Sequence, residues 1–325
     1  MSDSTTLKTM ARLFTALAVL AVSPQGYAQA FPSKPVHLVI PFLGGTDPLS
    51  RWLAFKLTPA LGQQVIVDPR IGAAGKIGHT AVAKAPPDGH MLLIAAPPFV
   101  VNPFLYKDPG YDPIRDFTAI TRLANIPTVL IVHPSIPVKS VAELVQLARN
   151  NPGKLAFPSS GVGSTSHLAG ELFKSLTKTN LLHVPYKSGS AGIASAMTGE
   201  VDIALIAAPS VEPYVKSGRM RAFAVLDTKR VSSMPQVPTA AEAGIPQLLV
   251  ENWYVLLAPA NTPKSIVDTL NAEFARVIVS ADTRERYTAM GAEQVTSTPE
   301  QSAEYLRQEQ ARWGKVVKDA GIKME

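Results

Sequence analysis

From Pro35 onward, short runs of β-branched and other apolar residues alternate with stretches whose apolar positions recur every three to four residues. Val36–Pro41, Val65–Asp68, Met91–Ala95, Val129–His133, Leu155–Pro158, Leu182–Val184, Asp202–Ile206, Arg221–Leu226 and Trp253–Ala258 read as strands. Helices are expected over Pro48–Leu61, Lys139–Asn150, Thr165–Leu176, Ala191–Thr198, Pro263–Ser280, Thr283–Met290 and Pro299–Ala320. The last has Thr298 as N-cap, Pro299 at its first position and Gly321 just past its end. Such alternation predicts an α/β protein with mostly parallel strands, and the 28 prolines read as punctuation between elements. There is no fixed-period repeat, low-complexity tract or Gly/Ser-rich linker. Two domains without a linker exchange the chain through strands, with Pro-rich turns near Ile126–Pro127 and Ile245–Pro246 as the crossovers. Residues 31–126 and 247–325 then form a discontinuous first lobe, residues 127–246 a second, and the C-terminal helices pack on the first.

The first thirty residues have a different pattern. Lys8 and Arg12 precede an apolar run from Leu13 to Val22, followed by Pro24, Gly26 and Ala28-Gln29-Ala30. This order of charge, apolar stretch and small residues is that of a secretory signal cleaved after Ala30. About ten apolar residues are too few for a membrane span, which needs ~20.

Composition narrows the classes further. With 325 residues, 46% apolar and 17% charged, the chain suits a packed globular protein of about two domains at ~100–200 residues each. The formal charge of +6 is spread along the chain without a basic block, which argues against nucleic acid and permits an anionic small ligand. Removing the leader takes away Lys8, Arg12 and Asp3 and leaves +5. The absence of cysteine excludes disulfides, thiolate metal sites, a Cys nucleophile and a lipidated Cys anchor.

Three strand-to-helix turns concentrate glycine and small hydroxyl residues: Gly44-Gly45-Thr46-Asp47, Ser159 to Thr165, and Ser188-Gly189-Ser190-Ala191-Gly192. Glycine lets backbone approach a ligand closely, and Ser, Thr or Asp caps the helix that follows. A helix N-terminus carries roughly +0.5 charge and unpaired amides, so these turns can hold an anion without Arg or Lys. In open α/β sheets they lie at the carboxyl ends of strands, where ligands bind. Phe42 and Tyr186 precede two of the turns and are the aromatics expected to wall a cleft, whereas Trp52, Phe99, Trp253 and Tyr254 read first as core.

Other chemistries fit less well. Gly72-Ala73-Ala74-Gly75-Lys76-Ile77 has two residues between its glycines where a phosphate loop needs four, and Ile77 replaces the Ser or Thr. Gly161-Val162-Gly163 lacks the third glycine of a dinucleotide fingerprint. The six histidines never fall at the i, i+4 spacing of a helical zinc pair. A secreted serine hydrolase would have to use Ser159, Ser160, Ser164 or Ser166 with His167 or His183, without a G-x-S-x-G elbow or a local Asp orienter. No metal or cofactor is expected.

Taken in order along the chain, several segments resemble the Bug (Bordetella uptake gene) family, the periplasmic substrate-binding receptors of tripartite tricarboxylate transporters. They are Phe31-Pro32-Ser33-Lys34-Pro35-Val36, Gly72 to Gly78, Pro87-Asp88-Gly89-His90, Ser164 to Glu171, His183-Val184-Pro185-Tyr186-Lys187, Val237 to Gly244, Leu257 to Pro263 and Asp319-Ala320-Gly321-Ile322. The resemblance covers the whole chain after the leader. It implies a type II periplasmic-binding-protein fold, in which two α/β lobes close on a small carboxylate, and a monomeric, non-enzymatic receptor. The implied partners are the ligand and the permease subunits of a transporter, or a sensor protein in their place. Carried over to this sequence, Phe42, Gly44, Gly45, Thr46 and Asp47 match the family's first ligand turn. Ser160, Gly161, Gly163, Ser164, Thr165 and His167 match the second, and Tyr186, Ser188, Gly189, Ser190 and Ala191 the third. The first turn departs from the family pattern Pro-Phe-Pro-x-Gly-Gly-x-x-Asp. Only four residues separate Phe42 from Asp47, where the family has six, and Leu43 replaces a proline. A loop two residues shorter presents fewer amides or sits farther back.

Overall fold

Two sheets share one long strand. The computed structural model describes residues 31–43 and 46–322, so the leader expected over residues 1–30 and the pair Gly44–Gly45 lie outside the described residues. The first sheet has the order β2-β1-β3-β9-β4-β10, formed by β1 (Val36–Ile40), β2 (Val65–Pro69), β3 (Met91–Ala95), β4 (Phe117–Val132), β9 (Glu251–Pro259) and β10 (Glu293–Gln294). In the second sheet β4 lies between β7 (Ile203–Ala207) and β8 (Arg221–Val225), while β5 (Ala156–Ser159) and β6 (Leu182–Pro185) form a separate two-stranded sheet. Asp202 joins β5 to the β7 side by donating its N–H to Ala156 O at 3.1 Å and accepting from Ala156 N at 2.7 Å.

The expectation of mostly parallel strands is corrected. β1 pairs in parallel with β2 and β3, and β5 with β6, but every pairing of β4 and β9 is antiparallel. The cause is topological: β4 leaves the first sheet for the second, β9 returns, and two strands crossing one boundary in opposite senses pair antiparallel. Phe117–Pro127 of β4 pairs with β9, and Thr128–Val132 pairs with β7 and β8. Ile126–Pro127 is therefore strand interior and not a turn. Proline, which lacks an N–H donor, is tolerated where the ladder changes partners.

The helices are α1 (Thr46–Leu61), α2 (Lys76–Ala83), α3 (Pro98–Leu105), α4 (Val141–Asn150), α5 (Thr165–Thr177), α6 (Gly189–Thr198), α7 (Ala208–Lys216), α8 (Lys264–Ile278), α9 (Ala281–Ala289) and α10 (Pro299–Ala320). Proline does not always punctuate: Pro59, Pro103 and Pro213 sit inside α1, α3 and α7. For α10 the structure has the expected start and stop, with a Thr298–Gln301 capping box and a left-handed Gly321. This helix packs on α3, on β4 and on α5. One buried cluster accordingly runs through both lobes, from Val39 and Leu93 through Trp253 and Trp313 to Phe157, Phe173 and Leu205. No described helix is long and apolar enough to cross a membrane.

Candidate functional site

The second and third glycine- and hydroxyl-rich turns lie at the carboxyl ends of β5 and β6 and open α5 and α6, and Thr46, from the described part of the first, opens α1 after β1. They converge on a cleft of about 770 Å³, within the usual range for small-molecule sites. Among the expected site residues, Phe42, Thr46, Ser160, Ser164, Thr165, Ser188, Gly189 and Ser190 line it. Asp47, Gly161, Gly163, His167, Tyr186 and Ala191 do not, and Gly44 and Gly45 lie outside the described residues.

Several residues off the lining hold the turns in shape. Ser164 caps α5 by accepting from His167 N and donates its own hydroxyl to Gly161 O at 2.7 Å. Ser188 caps α6 by accepting from Ala191 N at 3.2 Å. His167 is buried under the second turn, where its Nδ1 accepts from Gly163 N at 3.1 Å. An accepting Nδ1 requires a neutral ring, and burial, followed by the charges of His183 and Lys174, pushes His167 down to about 3. Its ring stacks on His183, with centroids 3.9 Å apart, and His183 Nε2 lies 2.6 Å from Ser159 Oγ. Burial, then Lys174, lowers His183 to about 4.

The Ser159–His183 pair is the one contact the hydrolase alternative would need. Ser159 Oγ is already engaged, accepting from Gly161 N at 3.1 Å, and Ser159 is buried. The nearby carboxylate of Glu171 faces His167, at 3.9 Å, and is paired with Lys174 at 2.8 Å. A serine, an imidazole and an orienting carboxylate are therefore not in line. Among the described residues, no group of three or more His, Cys, Asp or Glu is placed to hold a metal ion.

Sequence patterns did not single out the cleft floor. Thr128, Asn252 and Tyr254 reach it from β4 and β9, the two strands that cross between lobes. Asn252 Oδ1 accepts from Thr165 Oγ1 at 3.3 Å and so ties the α5 N-terminus to the crossing strand. Tyr254, read as core from sequence, is both buried and part of the lining. Lys187 is the single charged side chain lining the cleft among the described residues. Its signal was available in the sequence, since it stands between two candidate residues, Tyr186 and Ser188.

The structural segment 71–75 borders the same cleft through Ile71 and Ala74. Gly72, Ala73, Ala74 and Gly75 all have positive φ, at 130°, 46°, 51° and 87°. A Cβ on Gly75 would lie 2.7 Å from Phe42 Cζ, so glycine here lets Phe42 close over the turn. Below Phe42, His79 is fully buried against Phe99 and Tyr111, and neither of its nitrogens has a hydrogen-bond partner. Burial alone pushes it down to about 3, so this side of the cleft is backed by a neutral ring.

Comparison with known proteins gives consistent results. The model of the tripartite tricarboxylate transporter family receptor matches residues 49–322. Protein BugT of Bordetella pertussis is 32% identical over 313 residues, covering 95% of this chain and 96% of its own. The structure of R. palustris Rpa4515 with adipate superposes with a TM-score of 0.81 at 36% identity, over 90% of this chain and all of that one. MatC (Rpa3494) from Rhodopseudomonas palustris with bound malate gives 0.76 at 31% identity, over 88% of this chain and all of that one.

Proposed function

Given that the chain belongs to the tripartite tricarboxylate transporter receptor family, we propose that it captures a small organic carboxylate by lobe closure outside the cytoplasm and delivers it to the transporter's membrane permease subunits. The observation that carries this reading is the cleft. Two helix N-termini free of acidic residues, those of α5 and α6, open onto it beside Lys187. Aligned amides and one cation favour an anion, and no part of the arrangement requires a metal or cofactor. Relatives solved with adipate and malate support a carboxylate ligand.

Residues 31–126 with 247–325 make one lobe and 127–246 the other, and the crossing strands β4 and β9 act as the hinge. Residues 1–30 act as the export leader, so N-terminal sequencing of secreted protein should begin at Phe31. Saturating carboxylate should raise the melting temperature, because binding only the native state at 100 times Kd adds about 2.7 kcal/mol. A broad panel of mono-, di- and tricarboxylates that leaves the melting temperature unchanged would remove the receptor reading. Co-purification with permease subunits, as opposed to a membrane sensor, identifies the partner. The receptor reading also entails no ester turnover despite the Ser159–His183 contact. Turnover that disappears in His183→Ala would favour the hydrolase instead.

A further inference from the structure

The cleft is chemically lopsided. On the second-lobe side, Ser160, Ser164, Ser166, Ser188 and Ser190 line it beside Lys187, with Val162, Ile193 and Ile206 between them. On the first-lobe side Phe42, Leu43, Ile71, Ala74, Ala96 and Pro98 form an apolar wall, and Thr46, Asn252 and Tyr254 are its polar neighbours. Leu43 and Ile71 are 63% and 44% exposed there, large apolar side chains held open to water in a ligand cleft. Leu43 is also the residue that replaces the proline of the family's first turn. Behind this wall His79 is uncharged, and no cation lines it among the described residues. The first turn of α1 carries Asp47, whereas those of α5 and α6 carry no acid. Asp47 is paired with Arg51 at 3.0 Å, whereas the α5 and α6 N-termini open beside Lys187, so a ligand carboxylate is favoured on the second lobe.

We propose that the ligand is a carboxylate with an apolar body, an aromatic or medium-length monoacid, whose anionic end meets the hydroxyl wall and Lys187 and whose body covers Leu43, Ile71 and Phe42. This rests on the receptor reading above and specifies its ligand class. A short hydroxydiacid has little apolar surface to set against the first-lobe wall. A second carboxylate there would leave water among Phe42, Leu43 and Ile71. An apolar body instead removes the exposed side chains from water, at a gain of about fourfold in affinity per methylene.

Calorimetric titration of the purified protein with butanoate, hexanoate, benzoate, adipate and malate tests the proposal. Affinity should rise from butanoate to hexanoate. Hexanoate should bind at least fivefold more tightly than adipate, which has the same carbon chain with a second carboxylate, and benzoate at least tenfold more tightly than malate. Leu43→Asn and Ile71→Asn should each weaken hexanoate and benzoate at least threefold, with the melting temperature of the unliganded protein unchanged because both side chains are already exposed. Lys187→Gln should weaken all the acids by a similar factor. Adipate or malate binding more tightly than the monoacids would overturn the proposal and leave the carboxylate-receptor reading standing. Failure of every acid to bind would remove both.

Discussion

His79 shows how a single buried side chain can set a pH limit on the whole protein. Its ring is enclosed by Phe42, Phe99 and Tyr111, and both nitrogens lack partners. The folded state therefore takes up a proton only near pH 3, while the unfolded chain takes it up near 6.5. The unfolded state binds more protons between these values, so the stability present above pH 6.5 is lost as pH falls toward 3. By pH 5 the loss from this one group is about 2 kcal/mol. His79→Leu should make the dependence of melting temperature on pH between 7 and 5 less steep, the remaining slope coming from His167 and His183, without lowering stability at pH 7, since no hydrogen bond is given up. An equally steep decline in the variant would show that the acid sensitivity arises elsewhere. His167 is different, because its neutral form has work to do in accepting from Gly163 N under the second turn. The family resemblance carried His167 into the second ligand turn, while its place early in a helix also read as a core hydrogen-bonding role. Only packing shows that it faces the turn's amide and does not line the cleft.

Helix α5 holds the second turn against the sheet, and its seat depends on one missing side chain. A Cβ on Gly170 would fall 2.1 Å from Phe157 Cε2, the fully buried ring on β5. Gly170→Ala gains helix propensity but must displace that ring. Overpacking of this kind costs about 1–3 kcal/mol, so the net expectation is a lower melting temperature in thermal denaturation, with the α5 N-terminus shifted and ligand affinity reduced. Elements with strong local signals were legible in the sequence, including α1, α5, α10 and most strands. In several of those missed, proline or polar residues gave a local signal that tertiary contacts overrode. In α3, Pro98 and Pro103 bracket an almost wholly apolar segment that is buried against the first sheet and under α10. In α7, Pro209 and Pro213 hid a helix just after β7. The first half of β4 contains Thr121, Arg122 and Asn125, which are polar residues unexpected in a central strand. They are satisfied from a distance: Arg122 pairs with Glu251 at 3.0 Å and stacks on Tyr305, Thr121 bonds to Ser297, and Asn125 donates to Asp227 at 3.1 Å. None of these partners is within reach of a local pattern.

For the molecule as a whole, α10 ties the two lobes through one core. Glu309 on this helix accepts from both indoles in contact with it, Trp253 Nε1 at 2.8 Å and Trp313 Nε1 at 2.9 Å, within the core cluster that runs through both lobes. Glu309→Leu leaves two buried N–H donors unpaired at about 1–3 kcal/mol each. Because the cluster is continuous, the variant should melt in one transition at lower temperature, followed by calorimetry. Two separated transitions would mean that the lobes are independent folding units. The linear order of residues was enough to determine the α/β class, the three amide-rich turns, the alternation of elements and the family, because each rests on local spacing or on motifs in series. Strand direction, the shared strand β4, the cleft floor of Thr128, Asn252 and Tyr254, and the contrast between its apolar and hydroxyl walls were decided only in three dimensions. These features arise from residues far apart in the chain, brought together because two lobes exchange strands and must bury a common core.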